Sequence, residues 1–348
     1  MKAVYAPYRL IFKNPSGTSR GILTYKDTYF IKIWDEENPG HYGIGECALF
    51  KGLSKEDNNT YEDKLRELCE NIAKDEATDL SAYSSIMFGF EGAIFDFSSG
   101  GKRIMMPSQF TAGDMRIPIN GLVWMGSKDE MISRIDEKVK AGFHTIKLKV
   151  GAIDFESELL MVKHIREKYS EKDLEIRLDA NGGFTAENAL ERLDRFSKYN
   201  IHSIEQPVKA GQFDVMKDVC EKSAIPVALD EELIGISDSK LKEEMIQYIK
   251  PKYIILKPSL MGGLNGAEEW LRIAAANDVG GWITSALESN IGLNQIAQWT
   301  ATLMPRIPQG LGTGNLYTNN IESPLFQEKD SLGFDPDKKF VIPDLDWR

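Results

Sequence analysis

Histidine and cysteine are the scarcest reactive residues of this 348-residue chain, with four of the first and three of the second. Cys47, Cys69 and Cys220 are scattered, and none falls in a Cys-x-x-Cys pair. That argues against a disulfide framework and a thiolate zinc site, and makes the reducing cytoplasm the simplest compartment. Long apolar runs are missing too. The opening MKAVYAPYRLIF meets Pro7 and Arg9 before such a run can form, so it does not read as a secretion signal. No stretch reaches the roughly 18 apolar residues of a membrane span. Positive charge is in deficit, 42 basic against 53 acidic residues for a net −11. An acidic chain is a poor partner for nucleic acid or a membrane surface, and its charge alone says nothing about a reaction.

What is present is a long globular chain, 42% apolar and 27% charged, enough for a large core under a charged surface. The first hundred residues mix strand and helix patterns: TYFIKIWD (28–35), then EDKLRELCENIAK (62–74) and SIMFGFEGAIFDF (85–97) with helical spacing. Gly100, Gly101 and Pro107 break the chain. A different rhythm follows, of short apolar strands that end in a polar residue, a loop and an amphipathic helix. The strands are RIPINGL, HTIKLKV, LEIRLDA, HSIEQP, IPVALDE, KYIILKP, GWITSAL and PQGLGTG. Helices are expected at DEMISRIDEKVKAG, AENALERLDRFSKYN and LNGAEEWLRIAAAND, the first preceded by a capping box of Ser127 and Glu130. The strand ends Lys149, Asp179, Glu205, Asp230 and Lys257 are 30, 26, 25 and 27 residues apart, the length of one βα unit. With no glycine-rich dinucleotide loop after the first strand, the expected fold is α/β, a TIM-type (β/α)7β barrel with an α+β capping domain. The expected boundaries are 1–110 for the cap, 111–325 for the barrel and 326–348 for a tail packing back on the cap.

Barrel enzymes carry reactive groups at the C-terminal ends of strands. Here successive strands end in Lys147 and Lys149, Asp179, Glu205, Asp230 and Lys257. Alternation along a strand puts Lys147 and Lys149 on one side and Ile146, Leu148 and Val150 on the other. Singly, each acid also suits an ordinary turn, loop cap or helix start. Together, three carboxylates without a nearby histidine make a hard oxygen site that favours Mg²⁺, with Mn²⁺ as substitute. Such an ion beside a lysine of lowered pKa suits removal of a proton from the carbon next to a carboxylate. Thr284, Ser285 and Gly312, in glycine- and hydroxyl-rich strand ends, are candidate substrate contacts through backbone N–H groups. Asn181 is a further candidate, Gly262 after Lys257 leaves room for a substrate ring, and Arg20 in the SGTSRGIL loop is a candidate to meet a substrate carboxylate. The loops 14–20 and 50–54 are candidates to close over the barrel mouth.

This constellation resembles the enolase superfamily, in particular its muconate-lactonising-type branch. Members carry Lys-x-Lys on the second barrel strand, acidic Mg²⁺ ligands on the next three and a lysine on the sixth. The resemblance spans nearly the whole chain. It implies Lys149 and Lys257 as acid/base lysines on opposite faces of the substrate, with Lys147 beside them, and Asp179, Glu205 and Asp230 as metal ligands. None of His41, His144, His164 and His202 lies at the seventh strand end, where a mandelate-racemase-like member has its base. SGTSRGIL (16–23), TSALESNIGL (284–293) and QGLGTGNLY (309–317) resemble the branch members that remove water from a succinyl-substituted hydroxycyclohexadiene carboxylate in menaquinone synthesis. Racemisation of N-succinyl amino acids or epimerisation of dipeptides is the alternative. Dipeptide members carry Asp-x-Asp after the last strand, where this chain has GTGNLYTNN. A non-catalytic metabolite-binding barrel is a third reading, opposed by the complete set of lysines and acids. The oligomeric state is left open by the sequence.

Overall fold

The computed structural model describes residues 1–18, 21–124 and 126–348. The N-terminal part is a three-stranded antiparallel sheet, β1 (Lys2–Thr18), β2 (Gly21–Asp35) and β3 (Asn38–Cys47), backed by helices α1 (Tyr61–Lys74) and α2 (Ser84–Ser98). Pro7 lies within β1, which the sequence did not show to be a strand. Order β1-β2-β3 makes β1 an edge, where a residue without an N–H is tolerated. In α1, Tyr61, Leu65, Leu68 and Cys69 form the buried stripe. Helix α2 lies directly on β3, because a Cβ at Gly43 would overlap the Ala93 carbonyl and one at Gly45 the Gly89 carbonyl.

The chain then enters the barrel through β4 (Ile117–Pro118) and β5 (Gly121–Val123). Helix α3 (Lys128–Lys140) follows, and its capping box forms as expected, Ser127 N–H to Glu130 Oε2 at 2.8 Å and Glu130 N–H to Ser127 Oγ at 3.4 Å. Five βα units come next: β6 (Thr145–Lys149) with α4 (Phe155–Lys168), β7 (Glu175–Asp179) with α5 (Ala189–Ser197), β8 (Ser203–Glu205) with α6 (Phe213–Lys222), β9 (Val227–Leu229) with α7 (Ser239–Ile249), and β10 (Tyr253–Leu256) with α8 (Gly263–Ala276). Strand β11 (Gly280–Ile283) and α9 (Asn290–Thr302) end the series. Strands β5 to β11 are parallel and neighbours in sequence order. The expected eighth strand, PQGLGTG, is reduced to two parallel bridges. Gln309 pairs with Ile119 and Gly310 with Thr284, so this short segment joins the two ends of the curled sheet. Ile146, Leu148, Ile176, Leu178, Ile204 and Leu256 are buried in one core with the helices around them, as a sheet covered on both faces requires.

The C-terminal segment divides. Strands β12 (Leu325–Glu328) and β13 (Ser331–Phe334) form a hairpin that pairs with β4 at the barrel entry. The last residues reach the N-terminal sheet. Arg348 exchanges backbone hydrogen bonds with Tyr5, 2.8 and 3.2 Å, while Leu345 and Trp347 pack with Ala6 and Phe30. No helix is long and apolar enough to cross a membrane among the described residues.

Candidate active site

Parallel register sets the site. Lys149 is level with Asp179, and Asp179 with Glu205, so the ends of β6, β7 and β8 present their side chains next to one another. Asp230 and Lys257 directly follow β9 and β10. Asp179, Glu205 and Asp230 are all at most 1% exposed. Lys147 Nζ donates to both Glu205 oxygens at 3.0 Å and stands 2.9 Å from Asp179 Oδ2. Lys149 Nζ donates to Asp179 Oδ2 and to Asn181 Oδ1, each at 2.6 Å. Lys257 Nζ donates to Asp230 Oδ2.

The charges shape one another. Burial would raise Asp179, but Lys147 and Lys149 outweigh it and hold this carboxyl well below the usual range. Burial, with Asp179 alongside, pushes Glu205 well above it. Burial would lower both Lys147 and Lys257. Asp179 and Glu205 reverse that for Lys147, and Asp230 and Glu231 for Lys257, so both are raised. From sequence, a lysine of lowered pKa is expected. For Lys257 the balance runs the other way, because the ammonium itself serves as counter-charge to Asp230.

The donor set suits a hard divalent cation. It is oxygen-only, buried and rich in negative charge, and Asp230 Oδ1 has no hydrogen-bond partner among the described residues. The three lysine ammonium groups occupy the carboxylates as the side chains stand. Among the described residues no group of three or more His, Cys, Asp or Glu is gathered into a ligating cluster. Asp179, Glu205 and Asp230 would hold the ion once the lysines give way.

Lys147, Lys149 and Lys257 all open onto one cavity. Asn181, Thr284, Ser285 and Gly312 line it, with Asn120, Leu122, Trp124 and Thr313. Phe50 and Leu53 bring the 50–54 loop to its wall. Asn181, expected to touch substrate, also orients the site. At φ 43° it holds Lys149 through Oδ1 and donates Nδ2 to Glu231 Oε1 at 2.9 Å. Gly262 is not in this cavity. Its φ of 84° turns the chain into α8, and it lines a separate cleft with Lys55 and Ser237. Arg20 lies outside the described residues.

Two supporting residues were not singled out by the sequence. Gln206 accepts from the backbone N–H of Asp230 at 3.1 Å and of Glu232 at 3.2 Å, and so fixes the loop carrying the third acid. Glu288 accepts from Ser259 Oγ at 2.6 Å and Ser285 Oγ at 2.5 Å, tying the loops after β10 and β11 together. Both follow a strand end by a few residues, a position that marks loop-bracing polar groups once the strands are known.

The chain belongs to the enolase superfamily: the family described as Enolase C-terminal domain-like matches residues 130–330. Among curated relatives, an o-succinylbenzoate synthase from Desulfotalea psychrophila is 42% identical over 96% of this chain and 99% of its own length. A D-Ala-D/L-Ala epimerase from Cytophaga hutchinsonii is 26% identical over 82% of this chain and 79% of its own. The crystal structure of MenC from Desulfotalea psychrophila superposes with a TM-score of 0.86 at 39% identity, covering 96% of this chain and 99% of that one. A dipeptide epimerase from Cytophaga hutchinsonii, crystallised with Mg and the dipeptide D-Ala-L-Val, shares the fold with a TM-score of 0.80 at 23% identity, covering 95% and 92%.

Proposed function

We propose that this chain catalyses the o-succinylbenzoate synthase reaction, the loss of water from a succinyl-substituted hydroxycyclohexadiene carboxylate that yields the aromatic 2-succinylbenzoate for menaquinone synthesis. The observation that carries this reading is the placement of Lys149 and Lys257 on two different strands at the wall of one cavity, each backed by a buried carboxylate. It rests also on similarity to a relative of that name over nearly the whole chain.

Mg²⁺, or Mn²⁺ in its place, held by Asp179, Glu205 and Asp230, would supply Lewis acidity to the substrate carboxylate and relieve the neighbouring lysines of their role as counter-charges. The chain's own groups do the rest. Lys149, aimed by Asn181, removes the proton on the ring carbon that bears the carboxylate. The electron pair left behind forms the new ring double bond as the C–O bond on the adjacent carbon breaks. The departing hydroxide takes a proton from a lysine ammonium and leaves as water. Lys257 offers positive charge to the substrate from the other strand. Apolar Phe50, Leu53, Leu122 and Trp124 keep water from the ring. Cys47 and Cys69 are buried and all three cysteines unpaired, in keeping with a cytoplasmic enzyme.

The test is turnover of the hydroxycyclohexadiene carboxylate by the purified, Mg²⁺-loaded enzyme, followed by ultraviolet absorbance of the aromatic product. N-succinyl amino acids are incubated in parallel in D₂O. Aromatic product supports dehydration. α-Deuteration without aromatic product would replace it with racemisation, for which the same lysine pair suffices.

A further inference from the structure

Lys26 on β2 is a buried cation. It is 7% exposed, and its Nζ has no hydrogen-bond partner among the described residues. Burial lowers its pKa, and only the fields of Glu46 and Glu288 oppose this. Neither acid needs it. Glu46 accepts from Thr28 Oγ1 at 2.9 Å, Ser289 N–H at 3.0 Å, Ser289 Oγ at 2.6 Å and Gly292 N–H at 2.9 Å. Glu288 is taken by Ser259 and Ser285. An ammonium shut away from water with no acceptor is costly, and a fold keeps one where a ligand supplies the acceptor.

The place of Lys26 says what that ligand is. Its Nζ stands 5.9 Å from the centroid of Phe50. Phe50 and Leu287 line the lysine-bearing cavity and also an adjoining cleft that Lys26 itself lines. Leu287 is held at φ 63° by donating its N–H to Ser285 Oγ at 3.0 Å and by the Tyr317 hydroxyl donating to its carbonyl at 2.7 Å. A left-handed leucine fixed from both sides is a built element of the wall.

We propose that Lys26 determines specificity by holding a second carboxylate, the one at the end of the substrate's succinyl arm, with that arm lying between Phe50 and Leu287. This rests on the dehydration reading above. It gives the cap a chemical part in choosing a dicarboxylate.

The test compares wild type, Lys26→Met and Lys26→Arg on the hydroxycyclohexadiene dicarboxylate and on its analogue with the succinyl carboxylate replaced by carboxamide. Lys26→Met is expected to raise KM for the dicarboxylate about 10- to 100-fold with little change in kcat, the usual effect of losing a charged hydrogen bond. On the carboxamide the same substitution is expected to change little. Lys26→Arg is expected to recover part of the loss. The melting temperature of Lys26→Met is expected to hold or rise, since an uncompensated buried charge is removed. An equal fold-loss on both substrates, or a fall in melting temperature with no substrate-dependent change, would overturn the assignment and make Lys26 a counter-ion for Glu46 and Glu288. A wild type inert toward both substrates would overturn the dehydration reading, and the Lys26 assignment with it.

Discussion

Raising the pH through neutrality should loosen the joint between the cap helix and the sixth βα unit, and Glu91 is the group that does it. This residue of α2 is 7% exposed. It accepts from the first turn of α8, Leu264 N–H at 2.6 Å and Asn265 N–H at 3.3 Å. Gly263 leaves the room, since a Cβ there would overlap the Glu91 carboxylate. Burial pushes the Glu91 carboxyl up from 4.5 to about 7, against the pull of those N–H groups. A carboxyl whose folded value is raised favours the folded state in its protonated form. Its contribution is therefore complete below about pH 4.5, and is lost as the pH rises through about 7. At roughly 1.4 kcal/mol per pH unit, the loss across that window is about 3 kcal/mol. Glu91→Gln keeps a neutral acceptor for Leu264 and removes the titration. Urea unfolding of wild type and Glu91→Gln, at several pH values from about 4 to about 8, isolates this group from the other buried acids, because only the difference between the two proteins is read. That difference should grow with pH in favour of the glutamine variant by about 3 kcal/mol and level off above about pH 7. A flat difference, or one of opposite sign, would show that Glu91 ionises normally in the folded protein and refute the reasoning.

Three further outcomes follow from the site and the cap. Lys149→Ala should lower kcat by about 10³-fold, within the range for loss of a general base, while calorimetric Mg²⁺ titration stays near wild type. EDTA should abolish turnover and added Mg²⁺ or Mn²⁺ restore it, and Asp230→Asn should weaken Mg²⁺ binding in the same titration. Gly45→Ala should destabilise the protein by about 1–3 kcal/mol in denaturant unfolding, because the new methyl meets the Gly89 carbonyl of α2.

The barrel was legible because its period is written in the strand ends. Residues about one βα unit apart from Lys149 to Lys257 mark successive strand ends and gather at the candidate site, and β6 to β11 form where the expected strand segments lie. What was not legible depends on contacts distant in sequence. Pro7 hid β1, whose status as an edge is set by strand order and not by local propensity. PQGLGTG reads as a full strand, yet only Gln309 and Gly310 bridge, since closing the ring needs contact with Ile119 and Thr284 alone. Gly262 follows Lys257 closely in sequence, but it caps α8 in a left-handed turn and lines a separate cleft with Lys55 and Ser237. Glu91 and Glu46 read as unremarkable acids of the first hundred residues. Their partners, Leu264 and Ser289, lie more than a hundred and seventy positions away.

Charge balance links the barrel site to the cap. Asp179, Glu205, Asp230 and Glu231 bring four carboxylates to the strand ends, against three ammonium groups on Lys147, Lys149 and Lys257, leaving one negative charge if all are ionised. A divalent cation and one substrate carboxylate together bring one positive charge, which cancels it. With all of these groups ionised, the site balances a monoanionic reacting centre. A second carboxylate on the same molecule would add an uncompensated charge in a buried place, at a cost of several kcal/mol. It has to meet a cation of its own. Lys149 and Lys257 face the cavity of the reacting centre, whereas Lys26 lies in the cap and its Nζ has no hydrogen-bond partner among the described residues. On this argument the barrel fixes which proton is removed, and the cap fixes which carboxylic acid is admitted.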